Sequence, residues 1–263
     1  KLSGTLAIFF LGSFLGSGCA FLFGGGLLEL VQHLSLGSFH AWQVCFFVVG
    51  FPGIILGLLI ASAVKEPANR HTALQAVPLT QALSFYRKHA SFFTIHMLSY
   101  TLLAVTLFSL FSWIPAFMMR IHHLSHAQLG WTLGLIVILC GCSGAYTSGK
   151  LIDILTGRNI NYAPQLIAGV AALCAFIPLI ISVTVQDTNI ALISLAIAFY
   201  FASFPMPPSA TVLQLVVPPS MRARFSATML FCNSIGGLSG GSLLIGILND
   251  KLFHSSLAIG QSI

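Results

Sequence analysis

Seven apolar runs dominate this chain: Thr5–Val31, Trp42–Val64, His89–Met119, Leu129–Leu151, Ala163–Val185, Ile190–Val217 and Phe225–Leu248. Each has the ~20 residues that a helix needs to cross a ~30 Å hydrocarbon core, and each is too long for the ~9–11-residue strand of a membrane barrel. A helix also satisfies its own backbone hydrogen bonds in lipid, which an isolated strand cannot do. Asp, Glu, Lys and Arg make up only 6% of the 263 residues, where a soluble domain carries about a quarter. The expected fold class is therefore all-α: a membrane protein built as a multi-span helical bundle with seven transmembrane helices.

The formal charge of +6 raises the question of nucleic acid. The basic residues are scattered between apolar runs and form no patch, so no nucleic-acid partner is expected. Their placement reports orientation instead. With Lys1 inside and the runs alternating, Lys1, Lys65, Arg70, Arg87, Lys88, Lys150, Arg158, Arg222 and Arg224 fall on the cytoplasmic side. Only Arg120 and Lys251 fall outside, a bias of nine to two. The N-terminus is thus expected in the cytoplasm and the C-terminus of this chain outside, in a plasma (inner) membrane. A signal peptide is the competing reading of Lys1 and the run after it, but that run exceeds a ~7–15-residue signal core. The chain reads better as a piece that starts partway through a larger protein.

Local signals mark the joints. Ser125 and Gln128 have the spacing of a capping box opening the fourth run. Pro67, Pro78, Pro218 and Pro219 sit in connections. Pro205, Pro207 and Pro208 interrupt the sixth run; a break at that depth needs protein or a water-filled cavity beside it, although a plain kink is also tolerated. The first and seventh runs are both glycine-rich, and a shift of 222 residues aligns Gly18 with Gly240 and Gly24 with Gly246. Small residues at such spacing allow close helix contact, and a six-helix period is the mark of a parallel-repeat transporter.

The six cysteines, Cys19, Cys45, Cys140, Cys142, Cys174 and Cys232, lie inside apolar runs and read as packing residues. No metal or cofactor is expected. His122, His123 and His126 cluster in one loop, but without a nearby acid or cysteine they make a poor ligand set. A nucleophile–base pair, an HExxH motif and an acid pair within a span are all missing, so an enzyme is not expected.

Four stretches carry a family resemblance. "GKLIDILTGRN" at 149–159 resembles the loop signature of the major facilitator superfamily, through Gly149, Asp153, Gly157 and Arg158. The first run resembles that superfamily's fifth helix. "WQVCFFVVGFPGIILGLLIASAVKEP" is similar to its sixth, which ends on a basic-Glu-Pro exit, here Lys65-Glu66-Pro67. "WIPAFMMRIHHLSHAQLG" (113–130) and "MRARFSATMLFCNSIGGLSGG" (221–241) are most similar to the Spinster-like branch. Three positions depart from the signature: Ile154 stands where a basic residue usually follows the acid, the second glycine is one position late, and Asn159 replaces an arginine.

The resemblance implies a partial major facilitator fold covering helices five to eleven of twelve. Residues 1–64 would be the last two helices of the N-terminal half, 65–88 the cytoplasmic linker, and 89–263 a C-terminal half lacking its final helix. It further implies a secondary active transporter of small or amphipathic organic solutes, lipid-like cargo included, working by alternating access. A seven-helix receptor and an inactive truncated transporter are the alternatives.

The conformational gate would comprise Gly149, Asp153, Gly157 and Arg158, with Asp153 just past the end of the fourth span. Its carboxylate would face the positive end of the helix that starts at Arg222 and Arg224. Substrate-binding candidates are His96, one helical turn from Tyr100, together with Tyr200, Ser203 and Asn233. His96 is also the candidate acceptor of a coupling proton. Trp113 and Arg120 mark an outer vestibule or an interfacial anchor. The expected partners are the substrate, a coupling proton and membrane lipids.

Overall fold

The computed structural model of the chain describes residues 2–32, 40–63 and 77–249. Their helices are α1 (Leu2–Gln32), α2 (Ala41–Ala63), α3 (Leu79–Lys88), α4 (Ala90–Ile121), α5 (His126–Ile136), α6 (Cys142–Gly157), α7 (Ala163–Thr184), α8 (Thr188–Ala202), α9 (Met206–Val216), α10 (Arg222–Cys232) and α11 (Ser242–Ile247). A π-helical turn, Val137–Gly141, joins α5 and α6 into one rod, and a second, Asn233–Gly241, joins α10 and α11. Among the described residues, seven rods are long and apolar enough to cross a membrane. They match the seven apolar runs. Lys1, Lys65, Glu66, Pro67, Arg70 and Lys251 lie outside the described residues, as does the first half of the 65–88 linker; its last part is α3.

The rod ends follow local chemistry. At Ser125 both arms of the capping box close: Ser125 Oγ accepts from the Gln128 amide at 3.2 Å, and Gln128 Oε1 accepts from the Ser125 amide at 3.0 Å. Asp187 caps α8 in the same way, accepting from the Asn189 and Ile190 amides at 2.9 and 3.0 Å. At the other end of the fourth rod the helix outruns its apolar stretch and continues to Gly157. The chain leaves the helix through Asn159, whose φ of 63° is left-handed, while the Ile160 amide reaches back to the Leu155 carbonyl at 3.1 Å. Asparagine tolerates that region better than most residues, so Asn159, rather than Gly157, ends the helix.

The main core lies between α1, α4, α5 and α8, where Phe14, Leu110, Ile114, Phe117, Val137 and Leu195 are almost fully buried. α1 lies along the α5–α6 rod through small residues. A Cβ on Gly130 would sit 2.6 Å from the Phe21 carbonyl oxygen and 3.2 Å from the Cα of Gly25. At the far end of the same seam, a Cβ on Gly149 would meet Ala7 Cβ and the Ser3 carbonyl at 2.5 and 2.8 Å. The glycines of the seventh rod serve a different neighbour: Gly236, Gly237 and Gly241 pack on Thr101, Ala104 and Val105 of α4. Close backbone approach of this kind supplies the dispersion contact that replaces the hydrophobic effect inside lipid. α2 packs against α1, while Phe46, Phe47, Ile54 and Leu58 stay exposed, as a lipid-facing rod permits.

Candidate functional site

The rods line an open cavity of about 540 Å³. α1 contributes Phe9, Phe10, Ser13, Phe14 and Ser17, and α4 contributes Tyr100, Ala104, Phe108 and Phe111. Pro205, Met206 and Ser209 line it from the interrupted sixth rod, and Ser226, Met229, Asn233 and Ser234 from the seventh. The lining holds aromatic rings, thioethers, hydroxyls and one amide, with no Asp, Glu, Lys or Arg. The volume falls within the range of small-molecule sites, roughly 300–1,000 Å³.

Tyr100 is 5% exposed and its hydroxyl makes no hydrogen bond among the described residues. His96 is equally buried, its ring 4.7 Å from that of Tyr100, and its Nε2 is likewise unpartnered. A buried polar atom without a partner loses its hydration for nothing in return. Tyr100 lines the cavity, so its hydroxyl marks where a polar ligand group would be welcome; His96, one turn away, is not among the lining residues. Asn233 lines the same cavity, and its Oδ1 accepts from Thr101 Oγ1 at 3.4 Å.

Tyr200 and Ser203 are placed elsewhere, and their assignment as cavity residues is corrected. Tyr200 packs in an aromatic cluster with Phe201 and Phe204, at 5.2 Å from each ring. Ser203 is fully buried and donates to the Tyr200 carbonyl at 2.8 Å. Both belong to the packing behind the break. Trp113 is half-buried, and its indole N–H donates to the Ser242 carbonyl at 3.0 Å, tying α4 to the start of α11. Arg120 is exposed at the end of α4, beside the histidine loop. There His122 Nδ1 lies 3.1 Å from Thr188 Oγ1 at the start of α8. Burial pulls the His122 imidazole below its ordinary value, with Asp187 opposing and His123 reinforcing that shift.

Asp153 stands inside α6, one turn before its end, not past it. Its carboxylate accepts from the backbone amides of Ser3 at 3.2 Å and Gly4 at 3.0 Å. The helix it caps is therefore α1, not the one that begins at Arg222. A carboxylate at a helix N-terminus satisfies donors that have no partner within the helix and meets the positive end of its dipole. The expected facing helix was wrong because two helix starts are equivalent in sequence; only packing decides that α1 runs beside α6. Arg222 donates through Nε to the Val217 carbonyl at 3.0 Å. Arg224 Nη1 is buried without a hydrogen bond among the described residues. Lys150 lies over the Tyr146 ring at 4.6 Å. Gly149 provides the close approach of α6 to α1, whereas a Cβ on Gly157 would meet open space.

Sequence reasoning missed the aromatic wall, because Phe9, Phe10, Phe108 and Phe111 look like any lipid-facing phenylalanine until the rods are packed. Ser13 and Ser17, four residues apart on one face of α1, were the available signal.

A bilayer-length helical bundle with a broken rod in its cavity wall and a carboxylate capping a neighbouring rod defines a polytopic α-helical membrane protein. The chain belongs to the Major Facilitator Superfamily, whose family model matches residues 1–241. It is 28% identical over 234 residues to an MFS-type efflux pump of Mycolicibacterium smegmatis, a match covering 89% of this chain and 52% of that protein. Two crystal structures of a bacterial homolog to the human lysosomal transporter Spinster, both inward-facing, share its fold. The unoccupied form gives a TM-score of 0.62 at 19% identity, over 95% of this chain and 60% of that one. The occupied form gives 0.67 at 20%, over 93% and 56%. The chain spans about half the length of the curated relative it matches.

Proposed function

We propose that this chain is the central portion of a secondary active transporter that moves small or amphipathic organic solutes, lipid-like ones included, by alternating access. On this reading α1 and α2 close the N-terminal half (1–64), residues 65–88 link the halves, and α4 onward forms the C-terminal half (89–263). The observation that carries the reading is the cavity: its walls come from α1 on one side and from α4, α9 and α10 on the other, so it lies where two rocking halves would meet. The uncharged aromatic and thioether lining suits the apolar body of an amphiphile. Tyr100 offers its polar group a hydrogen bond, and His96, packed on the Tyr100 ring, is the candidate for a coupling proton. The relative named as an efflux pump favours outward transport.

The basic-residue bias puts the Asp153 end in the cytoplasm of a plasma (inner) membrane. Asp153 then latches α6 of one half to α1 of the other, favouring the state closed to the cytoplasm. Losing the charge on a capping carboxylate costs about 1–2 kcal/mol, roughly a five- to thirtyfold shift between two states. The test is Asp153→Asn in the full-length protein, measuring efflux of a lipophilic dye and of a fluorescent lysolipid, with cysteine accessibility on both faces. Lower efflux and greater cytoplasmic accessibility are expected. Unchanged transport with unchanged accessibility would refute the latch, and no movement of either probe by the wild type would count against the substrate class.

A further inference from the structure

The break in the sixth rod leaves a bond to be made elsewhere. In an unbroken helix the amide four residues on would donate to each carbonyl. The Ser203 and Phe204 carbonyls face Pro207 and Pro208, which have no N–H to give. The Met206 amide reaches Ser203 at 3.3 Å. Phe204 is served from another helix: Ser148 of α6, fully buried, donates its hydroxyl to the Phe204 carbonyl at 2.8 Å. Gly144, one turn earlier, allows this approach, because a Cβ there would land on Ser203 Oγ and the Tyr200 carbonyl. Ile152, one turn later, packs with Phe204. Three successive turns of α6 thus grip the break.

The adjacent stripe of the same helix, rotated by about 100°, holds α1: Gly149 lies against Ser3 and Ala7, and Asp153 caps Ser3 and Gly4. The break is also part of the cavity wall. Ala202 and Pro205 line the central cavity and a second one of about 260 Å³ behind it, so they form the partition between the two.

We infer that Ser148 is a positioning residue that clasps the broken cavity wall by replacing the donor Pro208 lacks, and that α6 thereby couples this wall to the contact between Asp153 and α1. The purpose of that coupling rests on the carrier reading; the clasp itself does not. Movement of α1 away from Asp153 frees one face of α6, and the neighbouring face carries the change to Met206 and Ser209, which touch whatever the cavity holds.

Hydrogen–deuterium exchange of the intact protein in lipid nanodiscs reads the clasp without any substrate. Ser148→Ala leaves the Phe204 carbonyl buried and unserved, and should speed exchange of the Met206, Ser209 and Ala210 amides about five- to 100-fold. Pro208→Ala restores an N–H at the position that would serve Phe204 within the helix. In that background Ser148→Ala should add less than about twofold. The same acceleration with and without Pro208, or none at all, overturns the clasp. Asp153→Asn, which keeps the clasp atoms intact, should also speed exchange at Met206 and Ser209, and exchange confined to α1 would overturn the coupling. Normal exchange behaviour in a protein that moves no solute would instead remove the carrier reading and leave the clasp standing.

Discussion

Gly130→Ala is the sharpest probe of how α1 is held. The added Cβ would lie 2.6 Å from the Phe21 carbonyl oxygen and 3.2 Å from the Gly25 Cα, well inside the ~3.5 Å at which non-bonded heavy atoms sit at ease. Both obstacles are backbone, so no side chain can rotate aside and the two rods must separate. Overpacking of this kind costs about 1–3 kcal/mol, less a gain of up to ~1 kcal/mol from replacing glycine inside a helix. At ~2–4 °C per kcal/mol for a protein of this size class, the melting temperature in detergent should fall by several degrees. Gly16 of α1 is the internal control, because a Cβ there meets nothing within 4 Å. Gly16→Ala should leave the melting temperature level or raise it slightly. Equal shifts for the two variants, or a stabilised Gly130→Ala protein, would refute the backbone contact between α1 and α5.

Tyr100→Phe removes a hydroxyl that has no hydrogen-bond partner among the described residues. Thermal stability should hold or rise while transport of the lysolipid probe falls about tenfold, the worth of one hydrogen bond to substrate; a stability loss without a transport loss would assign the hydroxyl to packing. The depressed His122 imidazole favours its neutral form in the fold. Its contribution is therefore complete above the ordinary value of 6.5 and is lost as pH falls through the lower folded value. Melting scans should show stability declining in that window, and His122→Gln should flatten the decline. Ser125→Ala removes the Oγ arm of the capping box, leaving the backbone arm to Gln128, and should cost about 1 kcal/mol, read as a lower melting temperature that Ser125→Thr largely restores.

Several features were legible along the chain because they depend on neighbours in sequence. The seven rods follow from apolar length, the Ser125 cap from spacing, and the break from prolines at 205, 207 and 208. The His96–Tyr100 pair follows from the turn of one helix. Other features required the rods to be placed. Asp153 was expected against the helix that starts at Arg222, and packing sets it against α1 instead. Tyr200 and Ser203 stand beside the break, as the sequence suggested, but on the side away from the cavity. The bond from the Trp113 indole to a carbonyl of the seventh rod was likewise out of reach of the sequence.

In a chain this apolar, sequence alone determines that helices form and which runs they occupy, since each helix closes its backbone bonds within itself and length, caps and prolines limit it. It does not determine which face meets which neighbour. Lipid tails are as apolar as leucine, so an amphipathic stripe does not announce the interior as it does in water. Tertiary structure decided that α1 lies on α6, that Ser148 meets Phe204 and that five phenylalanines wall a cavity, because those choices rest on close backbone approach and on single hydrogen bonds between distant residues.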